Sequence, residues 1–513
     1  MLRNMQNFSV QNSLLLLAIL LAACAVRTSD LPVETDPPQP STTPAFPTHQ
    51  VLASPTLSSP TPPALVSPTP QAEAIPLPRY IITATLNYWQ HHLLVDQKVL
   101  YTNRSPAALQ DLLLIVEPAS YAGTFKLNRL TYNGGQPFTK STWEGSRLRL
   151  ALPYALEPGE QIALEIAYEL NLPAPVPSAL SRPVPFGYTA RQTNLVDWYP
   201  FVAPYIPEKG WLAHPAGYFG EHLAYETADF EVNIRIQGAR ENSGAPILLA
   251  ASAPALVDGD WHRYRLSAAR NFAFSASHAY QTATQEVGQV VVTSYFFSYH
   301  AIPGQAALQA SAQAIELFSE LFGPYPRQAL SVVEADFLDG MEYEGLFFLS
   351  NGFYNSYQGT PADYLVAIAA HETAHQWWYA LVGNDQALEP WLDEALCTYS
   401  ERIFYERIHP EALDWWWAYR IDYYQPQGWV NGSIYNPQGY RAYRDAVYLN
   451  GAVFLEELRK LVGDQAFFDF LAAYATTQAG QLSTAADFFA ILAEHSTADI
   501  SGLLRTYFQP SPP

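Results

Sequence analysis

Two histidines stand four residues apart with a glutamate between them, in His371-Glu372-Thr373-Ala374-His375. On a helix that spacing puts both imidazoles on one face, one turn apart, where they can hold a single metal ion. Glu372 then lies close enough to take a proton from water at the metal without being a ligand. Two imidazoles alone are an incomplete set for hydrolysis, and Glu394 follows His375 after eighteen intervening residues. Two histidines and one carboxylate suit zinc and leave its fourth position open, as hydrolysis requires.

Two helices must position these side chains. Thr360-Pro361-Ala362-Asp363 reads as a helix start, with a hydroxyl cap, proline at the first helical position and a carboxylate near the positive end. The helix is expected to run through Tyr364 and both histidines and to end at Gly383. A second helix, from Trp391-Leu392-Asp393-Glu394-Ala395-Leu396 to Arg402, would bring Glu394 back across the first. Upstream, Leu308, Ala312, Ile315, Phe318 and Phe322 repeat at helical spacing and stop at Gly323-Pro324. Apolar strands are expected at 329–334 and 346–349.

From Arg79 to about Glu286 the period is two. Leu148, Leu150 and Leu152 alternate with polar neighbours, as do Ile162, Leu164, Ile166, Tyr168 and Leu170, and Phe230, Val232, Ile234 and Ile236. Such strands, apolar on one face, indicate an antiparallel sheet or sandwich. This half shows no catalytic constellation, and His91, His92, His214 and His262 read as structural or exposed.

The stretch from His371 to Trp378, with Leu381-Val382-Gly383-Asn384 and Trp391-Leu392-Asp393-Glu394, resembles the zinc signature of the gluzincin metallopeptidases related to aminopeptidase N and leukotriene hydrolase. Gly340-Met341-Glu342-Tyr343 resembles that family's Gly-x-Met-Glu-Asn motif, and Val447-Tyr448-Leu449-Asn450-Gly451 its tyrosine segment. The resemblance implies that His371, His375 and Glu394 bind one zinc ion, with Glu372 as general base and then acid. It implies further that Tyr448 stabilises the oxyanion, and that Glu342, with Gly340 and Met341 beside it, holds the free amine of a peptide substrate. The implied enzyme is an aminopeptidase. The rivals are an endopeptidase using the same zinc chemistry and a non-catalytic surface module that keeps the fold.

The chain departs from the family in three places. Asp339 stands where the family has its first glycine, and Tyr343 where it has asparagine. Glu344 adds a third carboxylate to Asp339 and Glu342, which reads as an anionic pocket or an exposed acidic loop. After Tyr448 the remaining residues suffice to finish a thermolysin-like domain, so the family's C-terminal helical domain is expected to be absent.

The opening segment reads as processed. An apolar run from Leu14 to Ala23 is too short to span a bilayer and ends in Leu21-Ala22-Ala23-Cys24, which resembles the bacterial lipobox. The resemblance implies a lipid on Cys24 and an extracytoplasmic, membrane-anchored body. Proline, serine and threonine dominate residues 31–78, a semi-rigid stalk. With 27 Lys+Arg against 48 Asp+Glu, a nucleic-acid partner is excluded. Among the two cysteines, Cys397 reads as a small buried apolar residue.

The expectation is thus a multidomain α+β protein. Residues 1–23 are a signal peptide and 24–78 a lipidated cysteine and linker. Residues 79–286 form an antiparallel β-sandwich or saddle domain, and 287–513 a thermolysin-like, mainly helical zinc peptidase domain with a small sheet.

Overall fold

The computed structural model describes residues 75–174, 185–238 and 246–510. The expected signal peptide, Cys24 and nearly all of the segment expected to be a stalk lie outside the described residues. The described residues belong to one compact unit, α+β, with many-stranded sheets first and helices after. No helix among the described residues is long and apolar enough to cross a membrane.

The period-two segments are strands. An eight-stranded sheet has at its centre Ala228–Gln237, Arg79–Asn87, His92–Thr102 and Gln161–Asn171. Its pairings are antiparallel except for Arg79–Asn87 with Ala228–Gln237, which run parallel. The predicted alternation holds in detail. Ile162, Leu164, Ile166, Tyr168 and Leu170 are all buried, as are Leu148 and Leu150 of the strand Arg147–Leu156 in a neighbouring four-stranded sheet. These faces meet in one apolar core shared by the β half.

A five-stranded sheet leads into the helical half. In spatial order it runs Tyr280–Val287, Val290–Phe297, Ala329–Ala335, Leu346–Ser350 and Gly340–Tyr343. The helix Ala301–Phe322 makes the crossover between the parallel strands Val290–Phe297 and Ala329–Ala335, and Gly323 ends it as predicted. The last strand, Gly340–Tyr343, pairs antiparallel at the edge and carries Met341 and Glu342. The second apolar core contains this crossover helix, the two helices of the metal motif and the helices that follow them. Trp377, Trp378 and Trp391 are fully buried within it.

Two local expectations are corrected. The helix carrying the histidines begins at Tyr364, capped by Asp363, whose carboxylate accepts the Leu365 N–H at 2.9 Å. Thr360 is therefore not the cap. The helix also stops at Ala374 and does not reach Gly383. Tyr379, with φ 145, cannot stay helical, and the chain closes instead through wide turns, Ala380 N–H to His375 O and Val382 N–H to Trp377 O.

Candidate active site

His371 lies in the last turn of its helix and His375 just beyond, its N–H still bonded to the His371 carbonyl at 3.2 Å. The helix Trp391–Ile408 crosses this end and presents Glu394 from its first turn. Glu394 Oε2 lies 3.3 Å from His371 Nε2 and 3.6 Å from His375 Nε2. The three side chains are buried, and their ligand atoms lie within 4.8 Å of one another. The sequence-predicted ligands thus converge.

The outer nitrogens of both rings are already committed. His375 Nδ1 faces the Trp378 carbonyl at 3.1 Å, a pure acceptor, so this nitrogen carries the proton. His371 Nδ1 faces the Glu401 carboxylate at 2.8 Å and is fixed the same way. Both Nε2 lone pairs then point at a carboxylate oxygen. Three acceptors converging in a dry pocket repel unless a cation lies among them, so the donor set fits zinc.

Glu401 was not assigned a role from sequence. Fully buried, it accepts from Arg420 Nη2 at 2.8 Å, Arg420 Nε at 2.9 Å and Trp416 Nε1 at 2.9 Å, as well as from His371. Burial pushes its carboxyl up, but Arg420 and His371 prevail and hold it at about 2. A signal was present: Glu401 follows Glu394 by seven residues, two helical turns, and so shares its face.

Glu372 is buried beside the ligands, and its Oε2 has no hydrogen-bond partner among the described residues. Burial raises its carboxyl to about 8; the two histidines oppose the rise, while Glu342 and Glu394 add to it. Gly340 is what admits it. A Cβ at that position would stand 2.0 Å from Glu372 Oε1, so only glycine lets the sheet edge come this close.

Glu342 faces the same centre, with its carboxylate oxygen, that of Glu372 and a His375 ring nitrogen all within 4.8 Å of one another. Gln386, also unforeseen, steadies it. Its Nε2 donates to Glu342 Oε1 at 3.0 Å and to Asp393 Oδ2 at 2.9 Å. The Tyr448 hydroxyl donates to Glu394 Oε1 at 2.6 Å from a wide helical turn, Asp445–Leu449. Tyr448, Glu342 and Gly340 thus join the metal group, and Met341 lines the cavity beside it.

Asp339 is exposed, as the acidic-loop reading has it, whereas Glu344 fits neither that reading nor an anionic pocket. Asp339 has φ 77, a conformation natural to glycine; its carboxylate offsets the strain by accepting the Gly340 N–H at 3.1 Å. Glu344 is buried and turned away, accepting from Arg327 Nε at 2.8 Å and the Arg270 N–H at 3.1 Å. The strand ends at Tyr343, and the turn at Gly345, φ 68, breaks the alternation that would have set Glu344 beside Glu342. Cys397 is free and fully buried, as expected. The β half, silent by sequence, walls the cavity that leads away from Glu342 with Glu117, Asp197 and Glu221.

A buried His₂Glu cluster with two carboxylates beside it forms a candidate metal centre equipped for proton transfer. Residues 306–507, which hold all of these groups, match the family model described as Peptidase family M1 domain. Aminopeptidase M1-D of Oryza sativa subsp. japonica is 26% identical over 220 residues, 40% of this chain and 25% of the rice protein. Endoplasmic reticulum aminopeptidase 1 of Homo sapiens is 26% identical over 211 residues, 37% of this chain and 22% of the human protein. The chain thus spans about a quarter of the length of these curated relatives. Among solved structures, an M1 zinc metallopeptidase from Deinococcus radiodurans shares the fold at TM-score 0.59 and 18% identity, over 85% of this chain and 95% of that one. A mutant of that protein, bound to a Tyr-Ser-Ala substrate, matches at TM-score 0.60, with the same identity and coverage.

Proposed function

We propose that the chain is a zinc-dependent aminopeptidase that removes single residues from the free amino ends of peptides. The observation that carries this reading is the closeness of Glu342 to the metal group, within 4.8 Å of Glu372 and His375. In a peptide the α-nitrogen lies about 2.5 Å from its own carbonyl carbon, and the next carbonyl is a further Cα step of about 3.8 Å away. An ammonium held on Glu342 and a carbonyl at the metal therefore belong to the same residue, which is the geometry of an exopeptidase. The names of the M1 aminopeptidase relatives and the Tyr-Ser-Ala complex of the bacterial neighbour support it.

His371, His375 and Glu394 would hold the zinc, which when bound acidifies water and polarises the carbonyl. Glu372, its Oε2 free of hydrogen-bond partners among the described residues, would take the proton of the attacking water and return it to the departing amine. Tyr448 donates its O–H to the carbonyl oxygen as charge develops there. Glu342 and Gln386 hold the amine in register, and Glu401 and the Trp378 carbonyl keep the two imidazoles aimed.

The test compares short peptides with free and N-acetylated amino termini, read by mass spectrometry, with Glu372→Gln as control. Stepwise trimming of the free peptides alone is expected. Internal cuts in both sets would make the chain an endopeptidase, and no cleavage above the control would leave a binding module. Cys24 completes the proposal, as a lipid anchor holding the enzyme outside the cytoplasm. Metabolic labelling with a fatty acid should mark the wild-type chain and spare Cys24→Ala; equal labelling would remove the anchor.

A further inference from the structure

We infer that the cavity beside Glu342 selects substrates whose first residue carries a cationic side chain, arginine above all. This rests on the aminopeptidase reading, since a first residue with its amine on Glu342 and its carbonyl at the metal has this cavity as the adjoining space for its side chain.

The cavity is lined by Met341 and Glu342 from the sheet edge and by residues of the β half. There Glu117, Asp197 and Glu221 bring three further carboxylates to its wall, and none of the described lining residues is a lysine or an arginine. Glu117 is the most telling of the three. It is 7% exposed, its Oε2 accepts no hydrogen bond from any described residue, and His222 Nε2 stands off at 3.6 Å. A buried acceptor that lacks a hydrogen bond favours a donor able to reach it. Asp197 is held in place by the hydroxyl of Tyr225.

The walls between the two ends suit the same ligand. Tyr121, Phe186 and Leu223 offer flat apolar surface, along which the methylene stem of a long cationic residue can lie while its head reaches the carboxylates. A guanidinium fits better than an ammonium. Its planar fork can serve carboxylates from two segments at once and stack on an aromatic face. A glutamate as first residue would meet like charge, with no lysine or arginine among the described lining residues to offset it.

The test uses an isosteric pair that differs by one charge, arginyl and citrullyl 7-amido-4-methylcoumarin, with the full-length zinc-loaded chain. The arginyl compound is expected to have a kcat/KM higher by at least about tenfold, as a charge-assisted hydrogen bond implies. A ratio near one would overturn the inference. Glu117→Gln and Glu221→Gln are each expected to lower the arginyl-to-citrullyl ratio by at least about fivefold, about 1 kcal/mol. A ratio unmoved in both variants would overturn it as well. If neither compound is hydrolysed above the Glu372→Gln control, the aminopeptidase reading falls, and the cavity is judged by calorimetry with argininamide against citrullinamide. Tighter binding of argininamide by at least about tenfold supports it, and equal binding overturns it.

Discussion

Glu401 touches no substrate in this scheme, yet a proton on the right nitrogen of His371 depends on it. Glu401→Gln keeps the shape and removes the charge; loss of such a partner weakens metal binding by about 10–100-fold. A chelator competition assay should show that weakening while circular dichroism stays unchanged. Gly340 makes a sharper test. Gly340→Ala would drive a methyl into Glu372, and a displacement of that size costs about a hundredfold in kcat. Zinc content should stay stoichiometric, because no ligand moves; loss of zinc would show that the clash spreads to His371. At this scale the ligands were legible because helical spacing alone makes His371 and His375 neighbours. Gln386 was not, since its partners Glu342 and Asp393 lie on two different elements whose meeting no local pattern records.

The helix Tyr364–Ala374 is apolar nearly all round and buried, so its direction is set by its cap more than by an amphipathic stripe. Asp363→Ala should lower stability by about 1 kcal/mol, measured by thermal denaturation, with zinc still bound. An unchanged midpoint would return the cap to Thr360. Sequence placed this helix and its start to within a few residues but ran it on to Gly383. The residues from His375 to Val382 contain neither glycine nor proline, and what turns them is the packing of three buried aromatics, Trp377, Trp378 and Tyr379. The sheet strands were legible almost residue by residue because a period of two has a single reading when one face is buried. The turn after Tyr343 was not, and it decided which of the neighbouring acids faces the metal.

The two apolar cores meet across the five-stranded sheet, and a buried guanidinium ties their halves together as well. Arg270, one residue past a strand of the β half, donates to the carbonyls of Tyr225, Tyr379, Ala380, Leu381 and Gln481, at 2.6–3.2 Å. Gly383 leaves it room, since a Cβ there would stand 2.3 Å from the guanidinium carbon. Arg270→Met should cost at least about 3 kcal/mol, because several buried carbonyls lose their donor at once. Chemical denaturation should show the wild-type halves unfolding in one transition and the variant's in two; a single unshifted transition in the variant would show that the halves hold together without it. Nothing in the local pattern around Arg270 announces this, as its partners are spread from 225 to 481.

Tyr379 and Ala380 lie four and five residues beyond His375, so the β half, through Arg270, grips the backbone that leads directly out of the metal site. Exchanging parts between relatives therefore carries a compatibility rule. A hybrid gene that joins a foreign β half to these helices would inherit activity only if the donor brings an arginine of matching reach. Without it, the hybrid would fold around a misaligned His375 and bind zinc loosely, although every residue of the motif is present.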